Sequence, residues 1–253
     1  MRSARFTANY RPSIVQRPIN VVPSAPMPRW KRVVDITLSL IALPFLALAT
    51  LLMAILMGIV SPGPVFFYQE RVGYLGRRFR CYKFRTMFVG ADTRVHRAYC
   101  EKLINSSHPW SKMDHLGDSR LIPGGRLLRA AGLDELPQLV NVLRGEMSLI
   151  GPRPCLPYEY EKYQPWQRER FSTLPGLTGL WQVSGKNETT FDEMIRLDIQ
   201  YAQTKSWRLD LKIFLLTLPA LAQQIFYSGF RKSTPSAATS DGFAAVGAPA
   251  NSR

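Results

Sequence analysis

The stretch ITLSLIALPFLALATLLMAILMGIV, residues 36–60, runs without a charge from end to end. At a rise of ~1.5 Å per residue it makes a helix of roughly 37 Å, long enough to cross a bilayer. A single-pass helix carries its excess of Lys and Arg on the cytoplasmic side alone. Here Arg29, Lys31 and Arg32 precede the run and Arg71, Arg77, Arg78 and Arg80 follow it, so both ends read as cytoplasmic. Pro44 interrupts the segment; an interior proline removes one backbone hydrogen bond and its ring clashes with the preceding turn. Together these features predict a re-entrant helix, broken at Pro44, that enters and leaves the membrane by one face. A kinked spanning helix is the other arrangement open to this stretch, with Thr37 or Ser39 satisfying the freed carbonyl. Ala47-Leu48-Ala49 resembles a signal-peptide cleavage site, but the apolar run continues past it and a long arm precedes it.

Around this segment the chain of 253 residues has a soft prior of one domain with extensions, or two small ones. With 46% hydrophobic and 20% charged residues, composition excludes a wholly disordered, collagen-like or coiled-coil chain. Lys and Arg number 33 against 18 Asp and Glu, and the resulting +15 points to polyanions: nucleic acid, anionic lipid head groups or phosphorylated substrates. Cys81, Cys100 and Cys155 are odd in number and irregular in spacing, which suits neither a disulfide framework nor a tetrahedral zinc site. They read as reduced, buried thiols. His96, His108 and His115 share a polar stretch without an accompanying cysteine pair and read as loop histidines.

The predicted fold is α+β and mostly helical: a re-entrant membrane helix plus a small cytoplasmic catalytic domain with a short β-hairpin and interfacial helices. Residues 1–30, rich in Arg and Pro and free of acids, form a basic disordered arm suited to anionic membrane lipid. Residues 31–61 are the membrane helix, 62–230 the catalytic domain, and 231–253, mostly Ser, Ala, Thr, Gly and Pro, a disordered tail. Val65 to Tyr68 and Phe79 to Phe84 read as two strands joined through Gly73 and Gly76. Met87 to Leu103, a run beginning at Gly125, Leu136 to Leu143, Tyr158 to Phe171 and Phe191 to Gln203 read as helical. Ile213 to Tyr227 is uncharged but short and carries Pro219, which suits an interfacial helix.

The chemistry concentrates in RLLRAAGLDELPQLVNVLRGEMSLIGPRP, residues 126–154, where adjacent carboxylates sit among arginines. Pro137 belongs in the first turn of a helix, and Asp134 before it is a natural cap. Capping and catalysis are compatible, because a helix N-terminus keeps a carboxylate ionised and offers amides to phosphate. An ionised Asp134 has the chemistry of a nucleophile toward phosphorus, Glu135 that of a Mg²⁺ ligand, and Arg129 and Arg153 that of bidentate phosphate grips.

Five motifs in this order resemble the bacterial sugar transferases, monotopic phosphoglycosyl transferases. They are Lys83-Phe84-Arg85-Thr86-Met87, the Leu133 to Gln138 and Asn141 to Gly145 segments, Met147 to Pro154, and Pro175 to Lys186, all after the basic-flanked apolar helix. The match spans roughly Trp30 to Gln224 and corresponds to the short form of the family. The sequence differs from the family's usual pattern at Leu43, Gly132, Glu146 and Lys186.

The resemblance implies transfer of a sugar 1-phosphate from a UDP-sugar to a polyprenol phosphate, undecaprenyl phosphate in bacteria, with release of UMP by a ping-pong route. It assigns Asp134 as the nucleophile that forms a covalent phosphosugar, Glu135 as the Mg²⁺ ligand, and Arg129 and Arg153 as phosphate-binding groups. Lys83 and Arg85 fall at the same site, and Gln182 and Lys186 at the nucleotide or sugar, with glucose or galactose as the expected hexose. It also implies the cytoplasmic face of a bacterial inner membrane and a first step in exopolysaccharide or surface glycan synthesis. Oligomeric state is not legible. The competing reading is a membrane-attached basic scaffold or nucleic-acid-binding protein without catalysis; no nucleic-acid module is present to favour it. A phosphohydrolase using the same Asp134 would differ only in taking water as acceptor.

Overall fold

The structure is a computed structural model that describes residues 27–91, 94–104, 118–185 and 189–230. The expected arm to residue 26, the tail 231–253, His108, His115 and Lys186 lie outside the described residues. The architecture is α+β and mostly helical, with one hairpin and two long apolar helices.

Helix α1, Arg29–Val60, carries the apolar run. It is helical throughout and holds Pro44 within it, so the expected break does not interrupt the element. Leu40, Ile41, Phe45, Leu48, Leu51, Leu52, Ile55 and Ile59 stand exposed along it. Its two ends, by contrast, are tied to the rest of the protein. At the start, Lys31 Nζ reaches Asp210 Oδ2 at 2.6 Å, and the Leu149 amide donates to Asp35 Oδ1 at 3.0 Å. Near the finish, Met53 and Met57 pack with Phe84 and Ile122.

Strands β1, Phe66–Val72, and β2, Arg78–Phe84, form the expected antiparallel hairpin, pairing Phe67 with Lys83 and Gln69 with Cys81. The next expectation fails in part. Helix α2, Arg94–Ile104, starts seven residues later than Met87 because Met87 pairs in antiparallel fashion with Leu121. The Ile122 amide donates to Thr86 O at 3.1 Å and the Phe88 amide to Arg120 O at 2.9 Å, which commits Thr86 to Phe88 to extended pairing.

Helix α3, Gly125–Ala130, a 3₁₀ turn at Leu133–Glu135 and helix α4, Gln138–Arg144, follow in close order. Arg32 reaches the end of α4, where its Nη1 and Nη2 donate to Val142 O and Leu143 O at 2.5 and 2.8 Å; Val142 O also accepts from the Gly145 amide. Gly145, at φ 79°, supplies the left-handed residue that closes this helix.

Strands β3, Ser148–Ile150, and β4, Gly176–Thr178, form a parallel pair that the sequence did not disclose. Three residues each leave no periodicity to read. The pairing explains the glycines of the last two motifs. A Cβ on Gly151, Gly176 or Gly179 would collide with backbone atoms of the others or of Leu174. Tyr158 to Phe171, expected as one helix, is α5, Pro157–Glu161, followed by a 3₁₀ segment, Pro165–Ser172. Pro165 divides them, since the residue before a proline is pushed out of the helical region.

Helix α6, Leu180–Val183, and helix α7, Phe191–Thr204, complete the body. Thr190 caps α7, its Oγ1 accepting from the Glu193 amide at 3.3 Å while its own amide donates to Glu193 Oε2 at 2.8 Å. Phe191, Met194, Ile195 and Tyr201 pack with Trp181, Phe171 and Ile150 in the main core. Helix α8, Trp207–Phe230, starts six residues before the expected Ile213 and is long and apolar enough to cross a membrane. Its first turn holds Arg208, Asp210 and Lys212, and Asp210 is admitted there because Lys31 and the Tyr201 hydroxyl pair with it.

Arg170 and Asp198 form an ion pair within the core, both fully buried, and Arg170 Nη1 also donates to Tyr163 Oη at 2.9 Å. Removing one partner of such a pair leaves an uncompensated charge in a dry interior. Asp198→Ala is therefore expected to cost about 3–5 kcal/mol, measured as a lowered denaturation midpoint of the detergent-solubilised protein; an unchanged midpoint would show that water reaches the pair.

Candidate functional site

The 3₁₀ turn Leu133–Glu135 lies against α3 and strand β2. After it, Leu136 packs on the cluster of Met53, Met57, Phe84 and Ile122, and before it a Cβ on Gly132 would lie 3.5 Å from Leu221 of α8. Asp134 is buried, while Leu133 beside it and Leu127 on α3 are exposed apolar side chains. Helix α4 starts behind Pro137 with no side-chain cap, so Asp134 is not the capping group that the sequence allowed. Its carboxylate stands on the turn ahead of the helix.

Glu135, the adjacent acid, receives Lys83 Nζ on Oε1 at 2.9 Å. That ion pair links the 3₁₀ turn to strand β2 and brings together two residues expected at one site. Cys81, on the same face of the hairpin as Lys83, senses both: burial pushes its thiol up, Lys83, Arg71 and Arg153 oppose the shift, and Glu135 adds to it. Arg153, on the Pro152-Arg153-Pro154 turn after β3, closes the cluster. Burial works against its charge, but the carboxylates of Glu159 and Glu135 outweigh that and hold the guanidinium above its ordinary value.

Arg129 lies in the last turn of α3, directly ahead of the carboxylate turn. Its charge is felt by Asp118, whose carboxyl is held below the usual range chiefly by its hydrogen bond with Arg120. Arg120 grips that carboxylate with both Nε and Nη2, at 2.7 and 2.6 Å.

Arg85 does not face this cluster. Its Nε donates to Pro64 O at 2.7 Å, Nη1 to Ser61 Oγ at 2.8 Å, and Nη2 to Ser61 O. It clamps the chain as it leaves α1, a structural use of the guanidinium in place of the expected substrate contact. Gln182 lies on α6 and donates to Leu177 O at 3.0 Å, which orients it against β4. Asn141, not singled out from sequence, is fully buried and joins three elements: its Oδ1 accepts from the Tyr82 amide at 3.1 Å, and its Nδ2 donates to Arg80 O at 2.7 Å and to Glu146 Oε2 at 2.6 Å. Its place three residues after Gln138 on the helix stripe was the available signal.

Among the described residues no three His, Cys, Asp or Glu side chains gather into a metal cage. Mg²⁺ does not require one, since it takes one or two carboxylates and completes its octahedron with substrate phosphates and water. Asp134 and Glu135 beside a set of cations have the donor chemistry for that kind of site. The arrangement is a buried carboxylate, Asp134, on a turn beside half-buried cations, next to helices with exposed apolar faces. It suits attack on a phosphoryl group presented at a membrane surface.

Over residues 27–224 the chain matches the profile of the family described as bacterial sugar transferase. The exopolysaccharide production protein ExoY of Sinorhizobium fredii is 38% identical over 192 residues, 76% of this chain and 84% of that protein. The UDP-glucose:undecaprenyl-phosphate glucose-1-phosphate transferase of Caulobacter vibrioides is 40% identical over 212 residues, covering 79% of this chain and 74% of the relative. The galactosyl transferase CpsE of Streptococcus agalactiae is 46% identical over 157 residues, 62% of this chain and 34% of CpsE, so the chain spans about a third of that protein.

The thiols around this pocket are inert by burial. Cys100 is pushed up to about 11 and Cys155 to about 12, and all three cysteines are free and buried. The folded protein at about pH 8 is expected to leave them unmodified by an aromatic disulfide reagent and to expose three thiols on denaturation. Rapid modification of the native protein would contradict the packing beneath Lys83.

Proposed function

The chain belongs to the bacterial sugar transferase family, and we propose that it transfers a hexose 1-phosphate, glucose or galactose, from a UDP-sugar to undecaprenyl phosphate. The product feeds exopolysaccharide or surface glycan synthesis at the cytoplasmic face of a bacterial inner membrane. The observation that carries this reading is the pairing of Lys83 with Glu135 beside the buried Asp134, with the charge of Arg153 acting on the same Glu135. A scaffold with dispersed basic charge needs no such arrangement.

A carboxylate oxygen of Asp134 attacks the phosphorus that bears the sugar. The bond from that phosphorus to the bridging oxygen breaks, and UMP leaves with the electron pair. A phosphate oxygen of the polyprenol then attacks the same phosphorus and expels Asp134, regenerating the carboxylate. Lys83, Arg129 and Arg153 neutralise the diphosphate oxygens as charge develops, and in a partly dry pocket that neutralisation is worth more than in water. Glu135 would hold Mg²⁺ together with the donor's phosphates, and the ion would supply further charge neutralisation and alignment. Gln182 and Lys186 are assigned to the nucleotide or sugar.

We assign α1 as a re-entrant helix. A straight helix would separate Arg32 from Met57 by about 37 Å. Yet Arg32 rests on Val142 and Leu143, neighbours of Asn141, which bonds Tyr82, and Met57 packs against Phe84 two residues further along β2. Both ends returning to one body supports entry and exit by the same face, with the bend at Pro44, and burial of the exposed apolar middle in one leaflet. The exposed faces of α8 and the basic surplus suit an anionic lipid surface.

Membrane-reconstituted protein with Mg²⁺, undecaprenyl phosphate and a panel of UDP-hexoses is expected to release UMP with one donor preferred. Asp134→Asn should lower that release by at least about 10³-fold, and chelation of the metal should stop it reversibly. No release from any donor by folded protein would overturn the transferase reading. For topology, Arg29→Cys and Arg77→Cys variants should both be labelled from the cytoplasmic side by an impermeant maleimide; labelling from opposite sides would establish a spanning helix.

A further inference from the structure

The segment Pro152 to Cys155 carries Arg153 into the site, and its backbone is held in an unusual way. Prolines at 152 and 154 have no amide to donate, so the turn cannot brace itself through hydrogen bonds from those residues. Instead each of four successive carbonyls is captured from a different place. Pro152 O accepts from the Gly176 amide at 2.9 Å, and Cys155 O from the Val72 amide at 2.9 Å. Arg153 O accepts from Arg170 Nη2 at 2.8 Å, and Pro154 O from Arg71 Nη1 at 3.2 Å.

Both arginines in this cradle are buried. Arg170 is fixed by Asp198 and by Tyr163 Oη, and Arg71 by Gln69 Oε1 at 3.0 Å. Asp198 offsets the burial of Arg170, whereas Arg71 bonds only the neutral oxygens of Gln69 and Pro154, a weak return for burying a guanidinium unless the position of that carbonyl matters. Neither side chain reaches the surface where a substrate could meet it.

We propose that Arg71 and Arg170 are positioning residues: by holding the Pro154 and Arg153 carbonyls they set the direction in which the Arg153 guanidinium enters the pocket beside Glu135. This inference rests on the reading of Arg153 as a phosphate ligand of the UDP-sugar. The two residues act at the donor's diphosphate and leave the acceptor step alone. Displacing an anchoring guanidinium by 1 Å is enough to weaken bidentate geometry.

The test is a double-mutant cycle on UDP affinity, measured by calorimetry with the full-length protein in nanodiscs and Mg²⁺. Arg153→Met and Arg71→Met are each expected to weaken UDP binding by about tenfold, and the double variant to be no weaker than Arg153→Met alone. Gln69→Ala, which removes only the oxygen that orients Arg71, is the milder probe; it should weaken binding a few-fold at an unchanged thermal midpoint and decides the matter if Arg71→Met does not fold. UDP binding that survives Arg153→Met overturns the phosphate-ligand reading. Binding lost in Arg153→Met but kept in both Arg71→Met and Gln69→Ala, or additive losses in the cycle, overturns the positioning role.

Discussion

Polar side chains hold both ends of an apolar helix onto one body. Lys31 and Arg32 bind at the start of α1, to Asp210 and to the closing carbonyls of α4, and Arg85 binds the chain at its finish through Ser61. The middle of the helix has no such partners, only exposed Leu, Ile and Phe. Apolar surface on that scale has a favourable place only in lipid or against another chain, while the paired charges at the two ends belong at head-group level. The remaining arrangement depends on that division. The residues that flank the carboxylate turn touch this frame, Leu136 at the cluster of Met53 and Met57 with Phe84 and Ile122, and Gly132 beside Leu221 of α8. The depth of Asp134 relative to a lipid phosphate therefore follows from how α1 and α8 are seated.

Several buried charges of the body are paired with an opposite charge or bonded to backbone. Lys31 pairs with Asp210 and Arg170 with Asp198, Arg71 donates to a backbone oxygen, and Asp35 and Glu159 accept from backbone amides. The pocket is where cations are gathered around fewer anions. Lys83 pairs with Glu135, Arg153 feels the charges of Glu159 and Glu135, and Arg129 lies in the last turn of the helix ahead of Asp134. A diphosphate brings the charge that such a pocket is short of, which is the electrostatic reason for reading it as a donor site.

Much of this was legible in the chain. The uncharged run of residues 36–60, the hairpin strands, the turn signals at Gly73 and Gly76, and α7 from its periodicity all stand where the sequence placed them. The proximity of Lys83 to Glu135 was expected from their motifs, and the two form an ion pair. What failed was whatever depended on distant partners. Arg85 has the residue type of a phosphate ligand, and nothing local tells that its donors are consumed by Ser61 and Pro64. Helix α8 was cut short because its uncharged run begins only after Lys212, and nothing local tells that Asp210 is held by Lys31. The β3–β4 pair is too short to leave a pattern, and its glycines are explained only by the approach of Gly151 to Gly176. Arg71 and Arg170 had no signal at all, lying 83 and 17 residues from the carbonyls they hold.

The central claim is that Asp134 becomes covalently attached to the sugar phosphate before the lipid acts. Intact and peptide mass spectrometry of the protein incubated with a UDP-hexose and Mg²⁺, without polyprenol phosphate, measures this directly. The account predicts a hexose phosphate adduct on the peptide containing Asp134, discharged when undecaprenyl phosphate is added. Turnover to lipid product with no adduct at any time, under conditions that trap acyl phosphates, would contradict it and require direct transfer from donor to acceptor.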